Sequence, residues 1–403
     1  MFVRSSSFFL QAIRLMSNDA RFVEKMRLLD YWGIQDSALS SEFRRSVFLL
    51  MVDWKPLVKK NRRTISLAYY NYSGRFCEES SERGIKLSEK LGDYGLFFDT
   101  TNSCLLDIVE HSNSEMVRAQ LTKIFFLNSF MVSYFFLYNI NTLNFHVPLF
   151  GTSLRVVEPS EDSPVHKEDV LLELGRCFDG CFLELRMAML GIENEKERNL
   201  LAKFQSLIRW SRVYLRCPKC GFPLRMRVSK SAAYCVPCSR IYYPMLYPVS
   251  ITLVSDPTDS QVLLVRHKGS PGGVYTAIAG FAHPGESLED CVRREVAEEV
   301  GVVVSKVVPL NRSQPWPIPE CSLMCAHYAV ADMSMEIDIC PNELEAARWY
   351  TREEVAIALQ RTLDDPLLKG LSKDVNDRQK LMYIPPQGAI AHHMIKLWVD
   401  RLI

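Results

Sequence analysis

The chain has 403 residues, of which 48% are hydrophobic and 24% charged, the balance of an ordinary globular protein with two or three domains. This composition excludes a largely disordered chain. The net charge of +1 leaves the chain as a whole without an electrostatic footprint for non-specific nucleic-acid binding. Twelve cysteines would suit a disulfide framework only in a small secreted chain, and no apolar signal-peptide core opens the sequence, so we expect a reducing compartment.

Residues 1–18 are basic and contain no acid. They hold Arg4, Arg14 and three consecutive serines among Phe, Leu and Ile, and the first carboxylate is that of Asp19. This composition is typical of a mitochondrial transit peptide. The alternative is an ordinary amphipathic first helix in a cytoplasmic protein.

Residues 19–205 contain no motif that we can attach to chemistry, and we predict an N-terminal domain of unclear role there. Its most apolar stretch, residues 124–140, is 17 residues long, whereas a bilayer span needs about 20. Asn128 and Ser133 also interrupt it. We therefore expect buried strands or a core helix rather than a membrane span. Residues 169–210 are predicted to be mostly helical.

Four cysteines in residues 206–246 form two CxxC pairs. Cys217 and Cys220 are followed, after 14 intervening residues, by Cys235 and Cys238. Two such pairs can surround one tetrahedral Zn²⁺ ion, and Gly221 permits the turn that points the first two sulfurs inward. A redox dithiol is the alternative, although a single pair would suffice for that chemistry. The spacing favours a structural zinc ribbon.

Residues 247–403 are predicted to form a sheet with three helices. Ser287 and Asp290 form a capping start and Gly301 a stop, so one helix is predicted over residues 288–300. Thr351 is expected to cap a helix through Leu359, and residues 389–402 form an amphipathic helix. The predicted strands are residues 248–256, 261–267, 273–281, 302–308 and 322–330.

The helix at residues 288–300 directs carboxylates toward the core. At about 100° per residue, Glu295, Glu298 and Glu299 continue the apolar face that begins with Leu288 and Val292. Converging carboxylates raise each other's pKa values unless cations neutralise them. Oxygen ligands of this kind suit Mg²⁺ or Mn²⁺ beside a substrate phosphate.

This helix and its flanking loops resemble the Nudix box. The fixed positions of the box fall on Gly280, Glu286, Arg294-Glu295-Val296, Glu298-Glu299 and Gly301-Val302. A Cys₄ ribbon before the box, with Ser313-Gln-Pro-Trp-Pro after it, resembles the NADH pyrophosphatase branch of that superfamily. The resemblance implies an α+β fold: a Nudix α/β/α sandwich with a mixed sheet, preceded by a Cys₄ zinc ribbon and an N-terminal mixed α/β domain.

The resemblance also implies the site residues. The metal ligands and catalytic acids fall on Glu295, Glu298, Glu299 and Glu343, with the carbonyl of Ala279 as a further ligand. The substrate-binding positions fall on Tyr243, Phe281, Gln314, Pro315, Trp316, Pro317, Ile318, Pro319, Ser322 and Ala391. Ile318 stands where the family usually has Phe, and an inserted residue near Glu320 and Cys321 departs from its pattern. Both departures concern substrate preference and not the metal site.

The expected reaction is metal-assisted attack of water on the diphosphate bridge of NAD(H) or NADP(H), giving NMN(H) and AMP from NAD(H). Arg294 is expected to orient Glu286 or another acid of the box. The residues leave open whether Glu298 or Glu343 deprotonates the water. The resemblance also implies a homodimer. Two alternatives remain: removal of the NAD cap from RNA 5′ ends, and a zinc-ribbon adaptor that binds a nucleotide without turnover.

Overall fold

The computed structural model describes residues 46–61, 64–71, 91, 96, 103–111, 145–156, 166–371 and 380–403. The predictions for residues 1–18 and 124–140 lie outside these ranges. The chain divides into two compact units. The first comprises residues 1–59, 67–183 and 207–244, and the second comprises residues 60–66, 184–206 and 245–403. The domain boundaries inferred from the sequence remain predictions.

A mixed sheet and one helix make up the described part of the first unit that precedes the cysteines. Strand by strand, the elements up to residue 182 are β1 (Val47–Val52), β2 (Lys55–Lys60), β3 (Ile65–Leu67), β4 (Tyr69–Asn71), β5 (Ser103–His111), β6 (Phe145–Leu154), α1 (Lys167–Cys177) and β7 (Cys181–Phe182). β1 runs parallel to β6 and antiparallel to β2 and β4. Val170 and Leu174 of α1 join Phe48 and Phe150 in one apolar cluster. A mixed α/β arrangement was expected here.

The residues between this sheet and the second unit's sheet form two helices and a small meander. They are α2 (Leu185–Gly191), α3 (Glu195–Val213), β8 (Arg225–Met226), β9 (Ala233–Cys235) and β10 (Arg240–Tyr242). The three strands pair antiparallel in the order β10-β9-β8. Gly221 adopts a left-handed φ of 71°, and its amide donates to the carbonyl of Cys217 at 2.9 Å. This is the turn that the sequence predicted at the first cysteine pair.

The second unit contains a six-stranded mixed sheet covered by helices. Its elements are β11 (Tyr247–Ser255), β12 (Gln261–His267), β13 (Ile278–Phe281), α4 (Leu288–Val300), β14 (Val304–Trp316), β15 (Ser322–Ala331), β16 (Leu344–Thr351), α5 (Arg352–Asp364) and α6 (Ile390–Val399). The strand order is β14-β15-β11-β12-β16, with β13 paired to β11. β11 and β15 run parallel, whereas the other pairs are antiparallel.

Side chains along the central strands alternate between the two faces of the sheet, and each face packs in its own apolar core. Val262 and Leu264 of β12 pack in the cluster that contains α5 and α6. Leu263 and Val265 pack in the cluster that contains α4. Because successive side chains of a strand point to opposite faces, a nearly continuous apolar run fills both layers. The predicted α/β/α sandwich with a mixed sheet is confirmed.

Several predicted boundaries were wrong. Residues 273–277 lie outside β13 and join neighbouring segments only through isolated bridges such as Val265 to Thr276. The predicted strand at residues 302–308 and the Pro-rich segment as far as Trp316 belong to one strand, β14, whose register shifts between Pro309 and Ser313. α5 extends to Asp364, and α6 is shorter than expected, ending at Val399. No helix among the described residues is long and apolar enough to cross a membrane.

Asp259, in the turn between β11 and β12, ties the last helix to the sheet. Its Oδ1 accepts hydrogen bonds from the Tyr328 hydroxyl at 2.8 Å and from the Trp398 indole at 2.6 Å. Its Oδ2 accepts from Arg352 at 2.7 Å. The guanidinium of Arg352 in turn lies 3.9 Å from the centroid of the Trp398 ring. One carboxylate thus connects the start of α5, the end of α6 and β15.

We expect Asp259→Ala to lower the free energy of unfolding by about 2 kcal/mol, because hydrogen bonds to charged groups contribute about 1.5–3 kcal/mol and the donors of Tyr328, Trp398 and Arg352 would lose this acceptor. Calorimetric unfolding would show this as a Tm lowered by about 4–8 °C. Glu336→Ala removes an exposed carboxylate of the same unit and is the control. Equal Tm values for the two variants would contradict the role of Asp259.

Candidate functional site

The helix α4 is built as its sequence predicts. The Ser287 hydroxyl accepts a hydrogen bond from the Asp290 amide at 3.1 Å, which caps the first turn. Gly301 ends the helix with a left-handed φ of 71° and donates to the Ala297 carbonyl at 3.0 Å. The predicted range of residues 288–300 is confirmed. Val292, among other apolar residues of this helix, packs on the sheet, which sets the direction of the acidic side chains.

Arg294 lies at the centre of a group of carboxylates. Its guanidinium binds Glu286 in a bidentate manner, with distances of 2.8 and 2.9 Å. It also donates to Glu295 at 2.7 Å and to Glu298 at 2.8 Å. The Phe281 carbonyl accepts a further hydrogen bond at 2.8 Å. The expectation that Arg294 orients the acids of the box is confirmed by these contacts.

The charges of this group are unequally compensated. The hydrogen bonds from Arg294 and from the His283 amide lower the pKa of Glu286 to about 2, so this carboxylate is ionised at any physiological pH. Burial raises the pKa of Glu295, although Arg294 opposes the rise. Contact with the acids raises the pKa of Arg294 itself. The charged pair of Arg294 and Glu286 therefore lies beside Glu295, whose carboxyl group is costly to ionise because it is buried.

Glu299 is the buried acid of the site. Its exposed fraction is only 2%, and its Oε2 has no hydrogen-bond partner among the described residues. Burial, followed by the charges of Glu295 and Glu343, raises its pKa to about 8. An inward direction is thus confirmed for Glu295 and Glu299. It was wrong for Glu298, whose side chain is 58% exposed.

Gly280 leaves room for the Glu295 carboxylate. A Cβ atom built on Gly280 would lie 1.7 Å from Cδ of Glu295 and 2.1 Å from both of its oxygens. Ala279 precedes it in β13 and is paired with Ile251 of β11. The glycine of the box is therefore required by the close approach of helix α4 to this strand. The sequence pattern included Gly280 but gave no sign of which side chain it accommodates.

Glu343, which precedes β16, and Glu345, which lies within it, have different surroundings. Glu345 binds Arg266, a buried cation of β12, so its charge is neutralised within the protein. The exposed side chain of Glu343 makes no ion pair in the described part of the chain, and its charge raises the pKa of Glu299. Arg266 was not among the residues predicted from the sequence. A charged residue inside the apolar run of β12 was the signal, because a buried cation needs a partner.

The acids fit a divalent cation through their chemistry. An unpartnered buried carboxylate oxygen on Glu299 requires a positive partner or a proton. However, no three carboxylates bring ligand atoms within 4.8 Å of one another in the described ranges. Mg²⁺ is commonly held by one or two carboxylates, with water and substrate phosphates completing the shell. The arrangement is compatible with an ion that binds together with its substrate.

The four cysteines form a closer cluster. The sulfur atoms of Cys217, Cys220, Cys235 and Cys238 lie within 4.8 Å of one another, and none is in a disulfide. Tetrahedral Zn²⁺ with Zn–S bonds of about 2.3 Å would hold sulfurs about 3.8 Å apart. Burial alone would raise the pKa of Cys217, but hydrogen bonds from Tyr242 and from backbone amides outweigh it and lower the pKa to about 6. Burial raises the pKa of Cys235, and a hydrogen bond with Cys220 raises the pKa of Cys238 to about 12. A soft divalent metal would favour the thiolate forms of all four residues.

Both polar atoms of the Gln314 side chain form hydrogen bonds with backbone groups. Its Nε2 donates to the Gly388 carbonyl at 2.6 Å, and its Oε1 accepts from the Ile390 amide at 2.7 Å. Ala389, the first residue flanking α6, provides no side-chain cap. Gln314 therefore caps α6 from a distant strand. Because both polar ends of its amide are used, we expect it to act on substrate through the position of α6, where the predicted residue Ala391 is buried.

The other predicted substrate positions differ in exposure. Trp316 is half-buried at the end of β14, where it pairs with the buried Ser322 of β15. Phe281 is 42% exposed beside the acids, and Tyr243, in the first unit, is 59% exposed, so neither is a core residue. The remaining positions run from buried to exposed: Pro317 is buried, Pro315 and Ile318 are half-buried, and Pro319 is exposed. Their contact with a substrate stays a prediction.

This combination of fold and site defines a class of enzyme. The NUDIX domain of that class matches residues 246–371, which contain the mixed sheet, α4 and the group of acids around Arg294. The chain belongs to the Nudix hydrolase family, as the resemblance of its box implied. Members of this family require a divalent metal ion, and the unpartnered oxygen of Glu299 has the chemistry of a ligand for it.

Three relatives place the chain within the family. The NAD-capped RNA hydrolase ndx-9 of Caenorhabditis elegans is 50% identical, covering 94% of this chain and 90% of its own length. The human mitochondrial NAD(P)H pyrophosphatase NUDT13 is 40% identical over 60% of this chain and 65% of its own. The human NAD-capped RNA hydrolase NUDT12 is 37% identical over 59% and 48%. The predicted NADH pyrophosphatase branch is confirmed.

The raised pKa of Glu299 predicts how stability depends on pH. In the unfolded chain this carboxyl ionises near its ordinary pKa of 4.5, but in the metal-free native state it keeps its proton up to about pH 8. Between these values the native state binds more protons than the unfolded state, so stability falls as pH rises. We expect Glu299→Gln, which cannot ionise, to reduce this loss.

The measurement is Tm against pH for chelator-treated wild type, Glu299→Gln and Glu289→Gln. Glu289 is an exposed acid on the same helix, so its isosteric change is the control. The advantage of Glu299→Gln over wild type in Tm should grow between about pH 5 and pH 8. A constant difference over this range would contradict the buried, protonated carboxyl.

Proposed function

We propose that this protein hydrolyses the diphosphate bridge of nicotinamide dinucleotides, giving NMN(H) and AMP from NAD(H). The proposal depends most on the group around Arg294, in which three acids converge on one cation beside the unpartnered carboxyl of Glu299. The names of the relatives, NAD(P)H pyrophosphatase and NAD-capped RNA hydrolase, both support a diphosphate linked to nicotinamide. An enzyme is favoured over a binding adaptor because these acids are intact.

In this proposal the residues of α4 have distinct tasks. Glu295, Glu298 and Glu299, together with Glu343 and the Ala279 carbonyl, hold Mg²⁺ or Mn²⁺. When bound there, such an ion would supply charge neutralisation on the diphosphate and a lowered pKa for the attacking water. Arg294 keeps the acids at fixed positions. Either Glu298 or Glu343, both exposed carboxylates, accepts the proton of the water.

The substrate's bases are read outside the box. Phe281 lies in the strand that leads to Glu286, and its exposed ring can stack on a base, an interaction of about 1–3 kcal/mol. Trp316 and the prolines around it offer a second, preorganised surface. Gln314 supports this surface by fixing the start of α6. Tyr243, Ile318, Ser322 and Ala391 complete the proposed set.

Cap removal from RNA is the second candidate function. Its support is the relative named NAD-capped RNA hydrolase, which is 50% identical and is matched over 90% of its length. A cap and a free dinucleotide present the same diphosphate to the box, so the acids serve both. The two functions differ in whether the protein also binds the RNA chain.

We propose that the protein is a homodimer located in mitochondria. A homodimer would cover large apolar side chains such as Tyr243 and Leu246, each 59% exposed. A mitochondrial location accords with the basic composition of residues 1–18 and with the relative NUDT13, whose name places it there.

The substrate assignment is tested with a panel of NADH, NAD, NADPH, ADP-ribose and diadenosine diphosphate at saturating Mn²⁺. We expect kcat/KM to be highest for nicotinamide dinucleotides and kcat to fall by at least about 10²-fold in Glu299→Gln, because a ligand to the ion is lost. Glu289→Gln on the same helix is the matched control and should keep full activity. Equal cleavage of ADP-ribose and NADH would overturn the nicotinamide assignment, and an active Glu299→Gln would overturn the metal site.

The four cysteines are proposed to bind structural Zn²⁺. We expect Cys220→Ser to release the ion and lower Tm, because the metal's binding energy contributes to folding. Cys325→Ser, a free thiol of β15, is the control. Elemental analysis should find about one zinc per wild-type chain, and its absence there would refute the zinc assignment.

A further inference from the structure

The ribbon region is strongly basic although the whole chain is nearly neutral. Residues 206–246 contain eight Lys or Arg and no Asp or Glu, whereas the full chain has 48 basic and 47 acidic residues. Four thiolates around one divalent ion would contribute two net negative charges, which leaves the region with six positive charges. The net charge of +1 for the whole chain therefore conceals an excess of positive charge in residues 206–246. Such a surface attracts polyanions.

Four of these cations are exposed. They are Arg216, Lys219, Arg225 and Arg240, and none pairs with a carboxylate among the described residues. Others have tasks within the first unit: Arg212, for example, donates to Ser153 and lies over the Trp54 ring. The exposed four are therefore the ones that can bind phosphate oxygens.

The small sheet of the ribbon places an aromatic ring and an aliphatic side chain beside one of these cations. Arg225, Tyr234 and Ile241 stand opposite one another across β8, β9 and β10, so they share one face. Ile241 is 44% exposed on that face. The opposite face carries Cys235, Arg240 and Tyr242, and the Tyr242 hydroxyl contacts Cys217. One side of the sheet thus serves the cysteine cluster, and the other presents a cation, a ring and an aliphatic side chain.

We propose that the ribbon surface, meaning its four exposed cations together with Tyr234 and Ile241, binds single-stranded RNA. The RNA bound there is the 5′ segment of a chain that carries an NAD cap. The inference rests on the cap-removal function proposed above. Free NAD(H) has only the two phosphates of its bridge, which the proposed function assigns to the box, so this substrate leaves no phosphate for the cationic residues of the ribbon. An RNA chain adds one phosphate per nucleotide and bases that stack on aromatic rings.

The test uses the full-length protein with the double change Lys219→Glu and Arg225→Glu. The control is Lys306→Glu with Arg401→Glu, an equal change of charge on exposed residues of the second unit. Anisotropy with a fluorescent, uncapped RNA oligonucleotide gives Kd over a series of salt concentrations. Losing two phosphate contacts should weaken binding roughly tenfold and flatten the salt slope of log Kd by about 1.4. Zinc content and Tm confirm folding.

Turnover separates this inference from the proposed function. We expect the ribbon double variant to keep the wild-type kcat/KM for NADH and to lose roughly tenfold with NAD-capped RNA. Wild type that binds no RNA, or equal weakening in the control, would overturn the RNA surface. Binding to anionic phospholipid vesicles in place of RNA would overturn it as well. Failure of wild type to cleave either NADH or capped RNA would instead refute the proposed function.

Discussion

One guanidinium sets the geometry of the candidate active site. Arg294 donates to Glu286, Glu295 and Glu298 and to a carbonyl of β13, so it fixes α4 against the strand that precedes it. A planar guanidinium can do this because its five donors point in fixed directions, which a lysine ammonium cannot reproduce. Arg294 does not reach the buried oxygen of Glu299, which has no partner among the described residues. One guanidinium cannot neutralise three carboxylates, so the group keeps a net negative charge beside the unpartnered oxygen of Glu299, and both features favour a bound cation.

The two candidate metal sites differ in how many ligands the protein brings together. The four sulfurs of the ribbon are already gathered at distances that suit a tetrahedral ion. The carboxylates around α4 are coupled through their charges but are not gathered in the same way. A structural ion needs all of its ligands from the protein, whereas a catalytic ion needs positions for water and substrate. The contrast agrees with a stabilising role for the first site and a chemical role for the second.

Local rules were enough to predict much of this architecture. Ser287 and Gly301 predicted both ends of α4, and the spacing of the paired cysteines predicted that their four sulfurs would cluster. Helical spacing also placed three glutamates on one side, but it could not show that Glu298 lies at the exposed margin, because exposure depends on what packs above the helix. The task of Gln314 was equally hidden, since its partners lie 74 and 76 residues away.

The prolines near Trp316 misled the strand prediction for a physical reason. A proline cannot donate to a neighbouring strand, so several in succession indicate a break. β14, however, is at the edge of the sheet, where an amide on the outer side needs no partner strand. Pro309 and Pro315 are therefore compatible with a continuous strand. Sequence alone does not say which strand will be at an edge.

The division of β12 between two cores limits how this region can vary in length. Asp256 accepts hydrogen bonds from the amides of Thr258, Ser260 and Gln261 at 2.7–2.9 Å, which closes the turn before β12 at a fixed number of residues. One extra residue there would turn the side chains packed against α4 toward α5 and α6. An insertion of two residues would keep each side chain of β12 on its own face of the sheet, but it would break the hydrogen bonds of Asp256 that close the turn. Homologous chains should therefore tolerate substitution in this turn far better than any change in its length.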